Sequence, residues 1–264
     1  MNSHDIAIIL ALARERGRGL SAFPGALPND LDQAYDIQAK GIEIWTDSIA
    51  GWKVGRLAPV LTERFGVDRF IGPVFSNGVH RIDAAAETDF PVFPGGSAAF
   101  EAEYVVVLGQ DQPDGLRSYT PAEARQFALS VHIGVEVAGS PLSIMPDLDS
   151  LASISDFGNN NGQIIGAQIP IEALDDPGSM GCATTIDGML VRTATAADLP
   201  GGPLTALAFA LTQAAELGRP LKAGEFVSTG AVTGMHWVRL GQRCSADFGS
   251  WGRVDCVAVP VGRA

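Results

Sequence analysis

The run Phe100-Glu101-Ala102-Glu103-Tyr104-Val105-Val106-Val107-Leu108-Gly109 sets two carboxylates, two residues apart, at the head of an otherwise apolar stretch. Side chains alternate faces along a strand, so Glu101 and Glu103 share a face with Val105 and Val107. Ala102, Tyr104, Val106 and Leu108 make the other face. Both faces are largely apolar, which predicts a strand covered on both sides. Two like charges on such a strand cost several kcal/mol unless something neutralises them. A divalent cation does this, because hard cations take carboxylate oxygens. The competing reading is a solvated strand end carrying Glu-x-Glu by chance.

A chain of 264 residues can bury a large core, as one domain or slightly more. Its formal net charge of −12 argues against nucleic acid and anionic membranes as partners. A small anionic substrate is still compatible, because one metal ion reverses the local field. Cys182, Cys244 and Cys256 are too few and too irregularly spaced for a disulfide framework or a zinc site, and the odd count fits a reducing compartment. The start, Met1-Asn2-Ser3-His4-Asp5, lacks the basic character of a secretory signal, and Arg14, Glu15 and Arg16 soon interrupt the apolar run. No window approaches the roughly 18 apolar residues of a membrane span. A soluble cytoplasmic protein is the expectation.

Residues 5–17 read as a helix on the spacing of Ile6, Ile9, Leu10 and Ala13, stopped by Gly17 and Gly19. Asn29 or Asp30 can cap a second helix, with Leu31, Ala34, Tyr35 and Gln38 on one face. Gly51-Trp52-Lys53-Val54-Gly55 reads as a short strand, followed by a short helix around residues 60–65. From about residue 70 strand-like runs alternate with Pro/Gly turns. They cover 91–93, 101–108, 132–137, 163–169, 182–186, 189–195, 225–229 and 253–259, with Asp187-Gly188 as a two-residue hairpin. Helices are predicted at Thr120-Pro121-Ala122-Glu123, with capping-box spacing, and over 203–217. The expected architecture is α+β: a mainly helical part over residues 1–70 packed on a large mixed or antiparallel β core over 71–264, the two forming one continuous structural unit. Strands and helices do not alternate strictly, which argues against a doubly wound sheet.

Two side chains and two loop segments besides the Glu pair stand out. Lys53 is flanked by Trp52 and Val54 between glycines; burial disfavours an ammonium and suits it to proton transfer near neutral pH, whereas an edge lysine would snorkel to water. Glu136 lies in Gly134-Val135-Glu136-Val137-Ala138, another apolar run. It would complete a three-carboxylate set suited to Mg²⁺ or Mn²⁺, or would pair with one of 15 arginines. The segment Ser155-Asp156-Phe157-Gly158-Asn159-Asn160-Asn161-Gly162 is too polar and glycine-rich for a core, and its amides could hold a carboxylate or oxyanion. Thr229-Gly230-Ala231-Val232-Thr233-Gly234 is similar. No triad spacing and no nucleotide-binding glycine fingerprint appears.

In order and spacing, Ala34-Tyr35-Asp36-Ile37-Gln38, Gly51 to Gly55, Glu101-Ala102-Glu103, Glu136, Asp156 to Asn160, Gly230 to Thr233 and Ala246-Asp247-Phe248-Gly249 resemble the 2-keto-4-pentenoate hydratase branch of the fumarylacetoacetate hydrolase superfamily. The resemblance covers nearly the whole chain. It implies a β-rich roll with a Mg²⁺ or Mn²⁺ site on Glu101, Glu103 and Glu136, and a catalytic Lys53. It further implies substrate contacts from Asn160, Asn161, Gly162 and Thr233, and a homo-oligomer. Many hydratases carry acids where this chain has Phe75-Ser76-Asn77-Gly78-Val79-His80, so Asn77 and His80 stand as the replacements that would assist proton transfer. The implied activity is addition of water to a 2-hydroxy-2,4-dienoate, giving a 4-hydroxy-2-oxo acid, as in aromatic catabolism. Alternatives are decarboxylation of a 2-oxo-3-enedioate or hydrolytic cleavage of an acylpyruvate at the same site. A last alternative is an inactive ligand-binding or partner subunit.

Overall fold

The computed structural model describes residues 1–82, 87–115 and 118–262. In chain order its main elements are α1 (Ser3–Glu15), α2 (Leu31–Ile44), β1 (Ile49–Arg56), α3 (Pro59–Phe65), β2 (Arg69–Phe75), β3 (Val79–Arg81), β4 (Thr88–Val92), β5 (Ser97–Leu108), α4 (Pro121–Arg125), β6 (Ala128–Ser140), α5 (Ser150–Ser155), β7 (Asn160–Ile169), β8 (Gly181–Ile186), β9 (Met189–Thr195), α6 (Gly202–Glu216), β10 (Phe226–Ser228), β11 (His236–Trp237), β12 (Arg243–Asp247) and β13 (Arg253–Pro260). The larger sheet runs β2-β1-β10-β5-β6-β7-β3, with β11 added on β5. The smaller runs β4-β13-β12-β8-β9. This is the mixed α+β architecture with a dominant β roll that the sequence predicts.

Every residue of β5 is buried, as its two-faced apolar pattern requires. One face packs Ala102, Tyr104, Val106 and Leu108 into the main core with α6, whose Leu207, Ala208, Leu211 and Ala215 are buried. On the other face Val105 and Val107 join Val74, Ile165 and Phe226 in a separate cluster. The glutamates sit on this second face. Asp30 caps α2, and the Thr120–Glu123 capping box opens α4. Asp187 and Gly188 both take positive φ, 50° and 77°, as a tight hairpin between β8 and β9 demands.

The sequence reading falls short in the first third of the chain. The reading misses β2, inside which residue 70 lies, and β1 and β2 both belong to the larger sheet. Strand β1 pairs with β10 in parallel and with β2 antiparallel. Pro73 hid β2. It is tolerated there because β2 pairs on one side only, which leaves an edge where a missing N–H costs little.

Candidate metal centre and active site

Strand register brings the predicted residues together. Glu101 is directly opposite Glu136 across β5–β6, and Glu103 is opposite Gly134. Lys53 is opposite Ser228, which is opposite Val105. Directly opposed residues share a face, and residues two apart along a strand share it too. Lys53, Ser228, Glu101, Glu103, Glu136 and Gln163, the β7 partner of Glu136, therefore all project to one side. Gly134 keeps this corner open: a Cβ there would stand 2.7 Å from the Ile164 carbonyl oxygen and 2.9 Å from a Val105 methyl.

The three carboxylates are buried, and one oxygen from each lies within 4.8 Å of the others. Glu103 accepts from Ser228 Oγ at 2.5 Å and Gly230 N at 2.9 Å on Oε2. Glu136 Oε1 accepts from Asn160 Nδ2 at 3.0 Å and lies 3.3 Å from Lys53 Nζ. By contrast Glu101 Oε1, Glu103 Oε1 and Glu136 Oε2 are buried with no hydrogen-bond partner. Native structures rarely leave three buried anionic oxygens without partners in one place. The set fits a hard divalent cation, which takes oxygen ligands and cancels their repulsion. Without one, burial and the Glu136 charge push the Glu101 carboxyl up to about 8, with Lys53 pulling the other way. Burial, then Glu136 and Glu101, hold Glu103 well above the ordinary carboxylate range against Ser228 and Lys53.

Lys53 is buried. Burial works against its ammonium, but Glu136, Glu101, Glu103 and the hydrogen bond to Glu136 outweigh this and leave its pKa above the ordinary lysine value. Its ammonium also lies 5.1 Å from the centre of the Phe70 ring. Gly72 faces Lys53 across β1–β2, and Gly158 packs against Gly72 and the Lys53 stem. Phe157, Gly158 and Asn159 take φ of 54°, 69° and 61°, a left-handed run that turns this loop under the lysine. A cavity of about 400 Å³ opens over Lys53 and Glu101, and the Thr229–Val232 turn and Asn159 line it. Asn159 Oδ1 is buried there without a partner.

The remaining sequence candidates are placed differently. Asn160 reaches the centre through Glu136. Thr233 is fully buried, and its hydroxyl is held by Thr184 at 2.7 Å and His236 at 3.3 Å, so it braces the turn instead of lining the cavity. Asn160, Asn161, Gly162, Asn77 and His80 border a second cavity of about 610 Å³ on the other side of the loop. Asn77 and His80 are exposed, and Asp47, which accepts from the Asn77 backbone at 2.7 Å, is the acid at that corner. The sequence did not single out Ser228, the partner of Glu103, or Arg14, which ties α1 to the Asp156–Asn160 loop. Arg14 was readable as a charge on the apolar stripe of α1, four residues after Leu10.

No helix among the described residues is long and apolar enough to cross a membrane. In sequence, the chain is 25% identical over 269 residues to 2-keto-4-pentenoate hydratase 1 of Dechloromonas aromatica, covering 97% of each chain. In structure it is similar to 4-oxalocrotonate decarboxylase from Pseudomonas putida G7, solved with magnesium and adipate, with a TM-score of 0.78, 20% identity and 97% of each chain covered. Fumarylpyruvate hydrolase from Pseudomonas aeruginosa, solved with Mn²⁺ and pyruvate, shares the fold at a TM-score of 0.56 and 16% identity, covering 82% of this chain and 92% of that one. Residues 79–258, which carry all three glutamates, match the family described as fumarylacetoacetate (FAA) hydrolase C-terminal, and the chain belongs to that family.

Proposed function

We propose that the protein is a metal-dependent hydratase that adds water to a 2-hydroxy-2,4-dienoate, giving a 4-hydroxy-2-oxo acid. One observation carries this reading: three partnerless buried carboxylate oxygens with a buried ammonium 3.3 Å from one carboxylate, at the floor of a cavity sized for a small acid. Glu101, Glu103 and Glu136 would hold the ion. A bound Mg²⁺ or Mn²⁺ supplies Lewis acidity toward the oxo-acid end of the substrate and offsets the carboxylate charge that raises Lys53. Lys53 Nζ then carries a proton between the enol oxygen and the substrate carbon, the task of a general acid–base. Ser228 and the Gly230 amide fix Glu103, and Asn160 fixes Glu136, so the carboxylates hold one geometry.

The test is the loss of dienol ultraviolet absorbance on adding enzyme, with and without Mg²⁺ or Mn²⁺. Full activity in Lys53→Ala or Glu103→Ala sinks the assignment. A second reading, decarboxylation of a 2-oxo-3-enedioate, draws support from the fold shared with the decarboxylase over nearly the whole chain. Product analysis separates the two: carbon dioxide or a hydrated oxo acid.

A further inference from the structure

Gln163 is fully buried on β7, directly opposite Glu136, and its side chain lies on the face that carries the three glutamates. Its Nε2 donates to the Ile164 carbonyl at 3.3 Å and stands 3.1 Å from where a Cβ on Gly134 would be. Gly134 is opposite Glu103. The amide thus occupies the corner that Gly134 leaves open, beside the strand positions of both Glu136 and Glu103. The Ile164 carbonyl settles which end of the amide is nitrogen, because turning the group over would set oxygen against oxygen. Gln163 Oε1 is therefore the free end, and it is buried without a hydrogen-bond partner.

The polar hydrogens on this face are turned to the carboxylates. Lys53 Nζ lies against Glu136, Asn160 Nδ2 is shared between Glu136 and the Gly162 carbonyl, and Ser228 Oγ donates to Glu103. Val79, the β3 partner of Gln163, and Ile165, two residues on, are apolar. Ionised carboxylates accept and do not donate. Four buried oxygens on one face thus lack a partner: Glu101 Oε1, Glu103 Oε1, Glu136 Oε2 and Gln163 Oε1. A side-chain amide oxygen is a hard ligand that divalent cations take together with carboxylates. Asn159 Oδ1 is orphaned as well, but it belongs to the loop packed under the Lys53 stem, off the strands that carry the carboxylates.

Resting on the metal-centre reading above, we infer that Gln163 Oε1 is a fourth protein ligand of the divalent ion, alongside Glu101, Glu103 and Glu136. A neutral ligand adds an oxygen without adding to the repulsion among the carboxylates. Mg²⁺ and Mn²⁺ take about six oxygens, so four from the protein leave about two, the number a 2-oxo acid supplies when it chelates through its carboxylate and its oxo oxygen. Gln163 thereby matches the open positions of the ion to one chelating acid.

The test counts waters on the ion. Relaxation of water protons by the Mn²⁺-loaded protein gives that number, and electron paramagnetic resonance of free Mn²⁺ gives the affinity. We expect about two waters in the parent, falling to near zero with saturating oxalate. Gln163→Met, of similar length and without the oxygen, should gain about one water and bind Mn²⁺ about tenfold more weakly, the lower end of what losing a partner of a metal ligand costs. Asn159→Ala should keep the parent's count. An unchanged count in Gln163→Met, whatever its affinity, overturns the assignment, as does a water gained in Asn159→Ala and not in Gln163→Met. A parent that carries about three waters overturns it too, and this count decides the matter even if Gln163→Met does not fold. Absence of Mn²⁺ binding by the parent strikes the metal-centre reading itself, whereas binding with an excess of water strikes the role of Gln163 alone.

Discussion

Arg14 donates to both carboxylate oxygens of Asp156, Nε to Oδ1 at 2.7 Å and Nη2 to Oδ2 at 2.9 Å, and almost none of either side chain reaches solvent. The same guanidinium gives Nη1 to the Asn160 carbonyl at 2.8 Å and lies over the Phe93 and Phe157 rings. Ser140 Oγ adds a 2.5 Å bond to Asp156. Helix α1 is therefore pinned to the loop that delivers Asn160 to Glu136. Removing one partner of a buried pair strands the other charge, at about 3–5 kcal/mol. Arg14→Met should show a loss of that size by chemical denaturation, and weaker Mn²⁺ binding in whatever fraction stays folded.

Lys53 competes with any cation for Glu136. Lys53→Met keeps the stem and removes the charge. Turnover of dienol should fall by about 10²–10⁴-fold, the contribution of a positioned proton carrier. Mn²⁺ affinity, followed by electron paramagnetic resonance, should hold or rise, because a positive charge 3.3 Å from Glu136 is gone. A parallel loss of metal and activity would instead make Lys53 a structural support.

Glu101→Gln removes a carboxyl that burial and Glu136 force to hold a proton near neutral pH, at the expense of a ligand. Near that pH the metal-free variant should show a higher midpoint of thermal denaturation than the parent, since Gln is buried beside Glu136 with no proton to take up on folding. Its Mn²⁺ affinity should drop by more than the roughly 10–100-fold that losing an outer partner costs. A less stable metal-free variant would contradict the cost assigned above to burying Glu101 beside Glu136.

The pH dependence follows from the same carboxyl. Glu101 is raised from 4.5 to about 8 in the folded, metal-free chain, so between those values the folded state binds more protons than the unfolded one. Its contribution to stability is fully present below about 4.5 and lost as pH rises through about 8. Binding a cation requires the ionised form and releases the proton. Melting curves across this window should show the stabilisation by Mn²⁺ growing with pH.

Much of the centre is legible in the sequence because charges inside apolar runs are anomalous. Glu101, Glu103, Glu136 and Lys53 all stand out this way, and period-two alternation puts the Glu pair on one face. What the sequence does not carry is register. That Glu136 meets Glu101 and that Ser228 separates Lys53 from β5 depend on pairings between distant segments, above all the parallel β1–β10 contact. The loop 155–162 was visible as polar and glycine-rich. Its left-handed turn, which sends Asn159 toward Lys53 and Asn161 toward the other cavity, is a matter of backbone geometry that composition does not encode.

Gly72 tests that backbone geometry directly. It lies opposite Lys53, and a Cβ there would stand 2.5 Å from the Phe157 carbonyl oxygen and 2.7 Å from the Gly158 Cα. Both are backbone atoms, so the loop must move as a unit. Gly72→Ala should cost about 1–3 kcal/mol, the scale of overpacking a tight contact. The displaced loop also carries Asn159 and Asn160, so kcat should fall along with stability. Gly66→Ala is the control: Gly66 lies in the turn after α3 with φ 73° and no atom within 4 Å of its added Cβ. It should lose stability through φ strain alone and keep kcat. Equal kcat values in the two variants would detach the loop from the chemistry.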